Sequence, residues 1–321
     1  MRFLTYDELS SSMETDRTLL HLAAFGGVFP RRAIELWRRR AKTAADYVGL
    51  FAAEGDALLG QVFVLRIPYV FREQTDVITG IGAVATRPDQ GRSGIARSLL
   101  IEVHRREREA GIRFSALWTN RTWGAHALYE KLGYRDVYSS PWVVHAGETS
   151  RGSAPRSREL RRARPADLAG IDRLHDRVAT GRLGFCRRPA GFSRTAVLSG
   201  WIDPAKNLIV AGANRELLGY AHLDRSPQRV VCGELVASST AVQRSLVGEV
   251  QRTARGLPFA FQHTVVTDAP ELFHDSGYSK APRSWYGLMG NALGREWAPQ
   301  DAIRQFATDD RRFLCLAGDR F

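Results

Sequence analysis

The sequence predicts an α/β protein made of two successive domains of one fold, and three observations lead there. Apolar strands and amphipathic helices alternate along the chain. Their order recurs after a stretch rich in Gly, Ser, Pro and Arg, "HAGETSRGSAPRSRE" (145–159). The segment "ALYEKLGY" (127–134) is echoed by "ELFHDSGY" (271–278) at the same place in that order, with Leu128, Gly133 and Tyr134 standing against Leu272, Gly277 and Tyr278.

In the first half, "YVGLFAAEGDALLGQVFVLRIPYV" (47–70) reads as two strands joined by a Glu54-Gly55-Asp56 turn. "TDVITGIGAVAT" (75–86) is apolar throughout, as a central strand is. A helix over 94–110 follows, with Ile95, Leu99, Leu100 and Val103 on one stripe. Strand 113–120, helix 123–133 and strand 139–144 come next, and Gly133 is placed to end its helix. In the second half, a strand and a helix opening at Pro165-Ala166-Asp167 precede a hairpin over 207–224 that turns at Asn214-Arg215. Strand 229–238, helix 240–255, strand 259–266, a short helix near 270–275 and strand 285–290 complete it. The expected division is a first domain at 1–148, a linker at 149–157, a second domain at 158–292 and a tail at 293–321.

Composition bounds the function. The chain has 321 residues, 44% of them hydrophobic, enough for two cores. No apolar run approaches the roughly 20 residues that span a bilayer, and the N-terminus lacks the order of a secretory signal. Cys186, Cys232 and Cys315 stand far apart with no C-x-x-C pair, so neither a disulfide framework nor a metal site is expected. A cytoplasmic protein with reduced thiols follows. The net charge of +12 is almost all arginine, since lysine occurs at 42, 131, 206 and 280 alone. Such a field attracts polyanions. No base-stacking aromatic signature accompanies the short runs at 38–42 and 161–165, so nucleic acid is not favoured as a partner. An anionic small cofactor would use the same field, and homo-oligomerisation stays open.

The informative stretch is "RPDQGRSGIARSLL" (87–100), where turn residues with Gly91, Ser93 and Gly94 open a helix. A strand entering such a turn aims backbone N–H groups and a helix dipole at one spot, which suits phosphate. The dinucleotide fingerprint G-x-G-x-x-G is absent, and so is the P-loop G-K-[ST].

"VATRPDQGRSGIARSLL" together with "ALYEKLGY" resembles the acyl-CoA-binding core of the GCN5-related N-acetyltransferases, the GNAT superfamily. That family reads [Q/R]-x-x-G-x-[G/A] at the turn. Here its positions fall on Gly91, Gly94 and Ala96, with Gly91 departing from Gln or Arg. The tandem arrangement resembles the Eis-type N-acetyltransferases, whose third, sterol-carrier-like domain is expected to be missing, because about 30 residues follow position 292. The resemblance implies two GNAT-like domains, each a mixed, mostly antiparallel sheet with helices on both faces.

It also implies an N-acetyltransferase that moves an acetyl group from acetyl-CoA to the amine of a small molecule or peptide, with no metal and no membrane. Acetyl-CoA would lie along Val84, Ala85 and Thr86. Its pyrophosphate would meet the amides of Gly91, Arg92, Ser93, Gly94, Ile95, Ala96 and Arg97. Tyr129 would protonate the departing thiolate. The family's frequent Asn seven residues before that tyrosine is Thr122 here, and Asn120 lies two positions earlier. For a base the sequence offers Asp76 and Glu102, each more readily read as a surface charge, and the resemblance adds the terminal carboxylate of Phe321. The second copy lacks the glycine turn. It has Ser238, Ser239 and Thr240 as helix-capping residues and Phe273 in place of the tyrosine, so it reads as a degenerate fold.

Overall fold

The computed structural model describes residues 1–41, 44–139, 141–147, 160–213, 216–254, 256–262, 270–273, 277–281, 285–294 and 305–316. The linker expected at 149–157, the turn expected at Asn214-Arg215 and the end at Phe321 lie outside the described residues.

In chain order the strands begin with β1 (Arg2–Thr5), β2 (Ala44–Glu54), β3 (Ala57–Val70), β4 (Thr75–Thr86), β5 (Phe114–Asn120) and β6 (Arg135–Ser139). Then come β7 (Trp142–His145), β8 (Leu160–Arg162), β9 (Leu183–Gly184), β10 (Leu208–Ala213), β11 (Glu216–Arg225), β12 (Val230–Ala237), β13 (Phe259–Gln262), β14 (Tyr278–Ala281), β15 (Tyr286–Ala292) and β16 (Phe313–Leu314). The helices are α1 (Ser11–Phe25), α2 (Arg31–Ala41), α3 (Ile95–Glu109), α4 (Gly124–Lys131), α5 (Leu168–Ala179), α6 (Phe192–Leu198), α7 (Pro204–Asn207) and α8 (Thr240–Ala254).

The chain divides into two compact units. Met1–Tyr138 and Tyr286–Thr308 form the first; Ser139–Trp285 and Asp309–Arg320 form the second. The first sheet has the order β1-β2-β3-β4-β5-β15-β6, and the second β14-β7-β13-β12-β11-β10-β8. Each sheet therefore contains a strand from the far side of the chain. β15 pairs antiparallel with β5, Tyr286 opposite Asn120 and Ala292 opposite Phe114. β7 pairs antiparallel with both β13 and β14. β4 pairs parallel with β5 and β12 with β13, and β16 pairs parallel with β9, whereas β1–β2, β2–β3, β3–β4, β5–β15, β8–β10, β10–β11, β11–β12, β7–β13 and β7–β14 are antiparallel.

Alternation along the strands sorts the first unit's core into two layers. Leu50, Ala52, Val62, Val64 and Ile81 pack with Leu99, Leu100 and Val103 of α3 and Tyr129 of α4. Phe51, Ala53, Phe63 and Ala85 face the other way, onto Met13 and Leu20 of α1 and Ile34 of α2. Both helical layers are thus accounted for. The N-terminal pair has ordinary punctuation. The Ser10 hydroxyl accepts from the Met13 amide at 3.3 Å, and Gly26 closes α1 at φ 69°.

The sequence echo has a structural reason. Gly133 and Gly277 both end their segments at positive φ, 97° and 104°. In each unit a strand from the other half of the chain presses on that glycine. A Cβ on Gly133 would come 3.0 Å from Oδ1 of Asn291 in β15, and one on Gly277 would come 2.6 Å from Nε2 of His145 in β7.

The second unit buries an ion pair. Both guanidinium nitrogens of Arg188 donate to Glu234 at 2.9 Å, and the Tyr220 hydroxyl donates to the same carboxylate at 2.5 Å. Burial alone would raise the Glu234 carboxyl, and the facing Arg188 guanidinium outweighs it, so the group lies below the usual range. Glu234→Ala should destabilise the unit by about 3–5 kcal/mol, because it strands a buried guanidinium. The wild-type contribution should be full above the ordinary glutamate value near about 4.3 and vanish as pH falls below it. Urea denaturation across that pH range checks both.

Candidate active site

The site begins where two parallel strands part. β4 pairs with β5 from Thr79 opposite Ser115 to Ile81 opposite Leu117. Past Ile81 the two run on unpaired, β4 to Thr86 and β5 to Asn120. On its other side β4 slips register against β3. Phe63 faces Gly82, Gln61 faces Ala85, and the intervening residues form a bulge. Ala83 sits there at φ 48°, a left-handed conformation that costs a residue with a Cβ roughly 1–2 kcal/mol. The edge of β4 that would face β5 is left without a partner strand over Val84–Thr86, so alternate amides along it are free for a ligand.

The turn after β4 extends this edge. Pro88–Gln90 make one 3₁₀ turn, and α3 starts at Ile95 with Gly94 as its N-cap residue at φ 85°. No side chain caps the helix. The Ser98 amide makes the first helical bond, to Gly94 O at 2.9 Å, and the amides of Gly94, Ile95, Ala96 and Arg97 have no acceptor among the described residues. Arg92 and Arg97 are exposed and form no ion pair among the described residues. Of the two glycines in the turn, Gly94 uses its conformational freedom. Gly91 does not: its φ is −57°, and the left-handed residue beside it is Arg92 at 64°.

A second glycine holds the helix down. Gly60 on β3 faces Thr86. A Cβ there would meet Ile95 Cγ2 at 2.8 Å and Leu99 Cδ1 at 3.4 Å, so bare backbone lets the first turn of α3 rest on the sheet.

Tyr129 lies on α4 in the same layer as α3, 7% exposed. Its ring meets Tyr134 edge-on at 5.9 Å. Tyr134 is itself fixed, its hydroxyl 2.7 Å from Ser115 Oγ and 2.9 Å from Nε2 of His104. Burial, with Arg108 adding to it, pushes His104 down to about 4, so the imidazole is neutral at pH 7. The Tyr129 hydroxyl makes no hydrogen bond among the described residues and is not among the sealed polar atoms, so it is open to solvent. Burial of the ring raises it to about 12. The phenol therefore keeps its proton at neutral pH.

Asn120 ends β5. Its Oδ1 accepts from the amide and the hydroxyl of Thr122, at 2.9 and 2.8 Å, which builds the turn into α4. Val84, Ala85, Thr86, the 91–97 turn, Asn120 and Tyr129 thus gather at the C-terminal ends of β4 and β5 and on the helices that follow them. The two carboxylates considered as bases do not. Asp76 is at the opposite end of β4, about 30 Å of strand away, and is held by Arg113 at 2.6 Å. Glu102 lies two turns into α3, and its hydrogen bonds with Arg105 and Arg106 hold it down to about 2.

The second unit keeps the skeleton without the cradle. β12 and β13 pair in parallel over Val230–Cys232, and β12 bulges next. Gly219 plays the part of Gly60, since a Cβ there would meet Val242 at 2.6 Å and Leu246 at 2.9 Å. Eight residues, 87–94, lie between the strand residue opposite Gly60 and the helix residue above it. In the second unit four do, 238–241, and the Ser239 hydroxyl accepts from the Val242 amide at 3.4 Å. Phe273 is buried in the core.

A model of the acetyltransferase (GNAT) domain family matches residues 5–137. That segment is similar to GNAT acetyltransferase domains. Solved structures similar to the chain carry the fold across nearly its whole length. A GCN5-related N-acetyltransferase from Kribbella flavida matches with TM-score 0.61 at 19% identity, over 90% of this chain and 70% of that one. A probable N-acyltransferase from Enterococcus faecalis matches with TM-score 0.64 at 15% identity, over 91% and 72%. Eis1 from Mycobacterium abscessus matches with TM-score 0.59 at 18% identity, over 91% and 73%. No curated protein matches the sequence. Among the described residues no helix is long and apolar enough to cross a membrane, and no cluster of three or more His, Cys, Asp or Glu could hold a metal ion.

Gly60→Val should lift the first turn of α3 and destabilise the first unit by about 1–3 kcal/mol, as overpacking does. A lowered denaturation midpoint checks this.

Proposed function

We propose that the chain is an N-acetyltransferase taking its acetyl group from acetyl-CoA and delivering it to a primary amine of a small molecule or peptide. The observation that carries this reading is the parting of β4 and β5 past Ile81, directly before a helix start whose amides are free. Residues of the chain fit the donor. The amides of Gly94–Arg97, with the exposed Arg92 and Arg97, suit a pyrophosphate. The free edge of Val84–Thr86 suits the amide-bearing arm that follows it.

Acetyl-CoA, when bound, supplies an activated thioester. Backbone N–H groups at the bulge stabilise the negative charge that develops on the carbonyl oxygen as a neutral amine attacks. The new C–N bond forms, the C–S bond breaks, and the proton lost by the amine balances the one gained by sulfur. Tyr129 holds a proton where the sulfur departs. Its hydroxyl at about 12 is a weaker acid than an ordinary thiol near about 8.5. Tyr129 therefore acts by donating a hydrogen bond to the thiolate and passing on a proton as the amine releases its own. The second unit, with its shortened turn and Phe273, contributes no donor site to this scheme.

Screening amines with acetyl-CoA and purified protein tests the activity. Tyr129→Phe should leave acetyl-CoA affinity nearly unchanged and lower turnover by about 10²–10⁴-fold. Because the phenol does not titrate until about 12, no alkaline limb of the wild-type pH–rate profile below that should vanish in the variant. Full turnover in Tyr129→Phe removes its role. Gly94→Asp should abolish acetyl-CoA binding in calorimetry, since it strains a φ of 85° and puts a carboxylate among the free amides.

A further inference from the structure

The bulge in β4 needs something to hold it. An extra residue in a strand bends the ladder and leaves a backbone group unpaired, and a left-handed alanine adds strain. The carbonyl of Ala83 is not left bare, however. Nε2 of Gln61, on the neighbouring strand, donates to it at 3.2 Å. Gln61 is 0% exposed and faces Ala85, the first residue back in register. Its other amide atom, Oε1, is sealed with no hydrogen-bond partner among the described residues. A buried long polar side chain with half of its hydrogen bonding unmet is a poor choice for packing alone, since an apolar residue of the same size would avoid that cost. The amide is kept for the bond it does make.

We propose that Gln61 is a positioning residue of the donor site: by holding the Ala83 carbonyl it locks the β4 bulge and fixes where the amides of Val84–Thr86 point. The inference rests on the acetyl-CoA reading only for what those amides meet; the lock itself is a property of the strand pair. Without the bond, Ala83 can leave its left-handed conformation and the strand can slide toward regular pairing, which would turn the free amides away from the gap. Gln61 touches no substrate and acts through the backbone of β4.

Three variants test this. Gln61→Leu keeps the size and removes the donor. Gln61→Glu keeps a donor while the buried carboxyl is protonated and loses it on ionisation. Ala83→Gly relieves the left-handed strain. Hydrogen–deuterium exchange over 82–86 is read against 77–81, and acetyl-CoA binding is measured by calorimetry. In Gln61→Leu, exchange over 82–86 should rise about 5- to 10-fold, the worth of one hydrogen bond, with 77–81 unchanged, and acetyl-CoA affinity should fall by a similar factor. In Gln61→Glu the protection over 82–86, with the intrinsic pH dependence of amide exchange divided out, should fall as pH rises, which wild type should not show. In the Ala83→Gly background Gln61→Leu should have a smaller effect. Unchanged exchange over 82–86 in Gln61→Leu overturns the lock, and so does a rise that is equal over 77–81, which would be general loosening. Wild-type protein that fails to bind acetyl-CoA overturns the donor reading, and the exchange measurements still decide the lock.

Discussion

Two parallel strands that stay paired for three residues and then separate organise the whole first unit. The pairing of Thr79–Ile81 with Ser115–Leu117 puts β4 and β5 side by side, so the helices that follow them, α3 and α4, start at the same edge and pack in the same layer. What parts the strands also frees the backbone. A paired strand would have satisfied those amides, and a capped helix would have satisfied the ones beyond. The sequence spends Gly94 and a left-handed alanine on keeping them open, and each of these weakens the fold locally. Such losses concentrated at one place mark function rather than packing.

The second unit repeats much of this skeleton without the open turn. It keeps the parallel pair, the bulge and the glycine beneath the helix. The strand-to-helix connection is four residues shorter, a serine hydroxyl satisfies the helix start, and the position of the tyrosine is a core phenylalanine. A buried Arg188–Glu234 pair follows its bulge where the first unit has open backbone. The repeat thus separates features common to both units from those found in the first alone.

Much of this was legible in the sequence because it is local. The turn at 87–100, the tyrosine segment and Gly133 each reveal themselves within a dozen residues, through turn residues and helical period. The helices α1 and α2 carry comparable local signals in Ser10, Gly26 and Pro30. Other features leave no local trace. Gln61 looks like any polar residue in an apolar strand, because a bulge belongs to the register of two strands and not to either one. The placement of β7 and β15 was hidden for the same reason. Both read correctly as strands, yet a strand's sequence says how it alternates and not which distant edge it completes. Gly91 carries a glycine signal that its backbone does not use, and the positive φ beside it belongs to Arg92.

The position of β15 sets the timetable of synthesis. Residues 121–285 are synthesised between the edge of β5 and the strand that covers it, Tyr286–Ala292. At roughly 5–20 residues per second, a ribosome needs on the order of ten seconds to bridge that interval. Throughout it the nascent first unit has a seam in its sheet, with bare backbone groups between β5 and β6. A wait is thus written into the topology, and the first unit cannot close its sheet until Tyr286–Ala292 has been made.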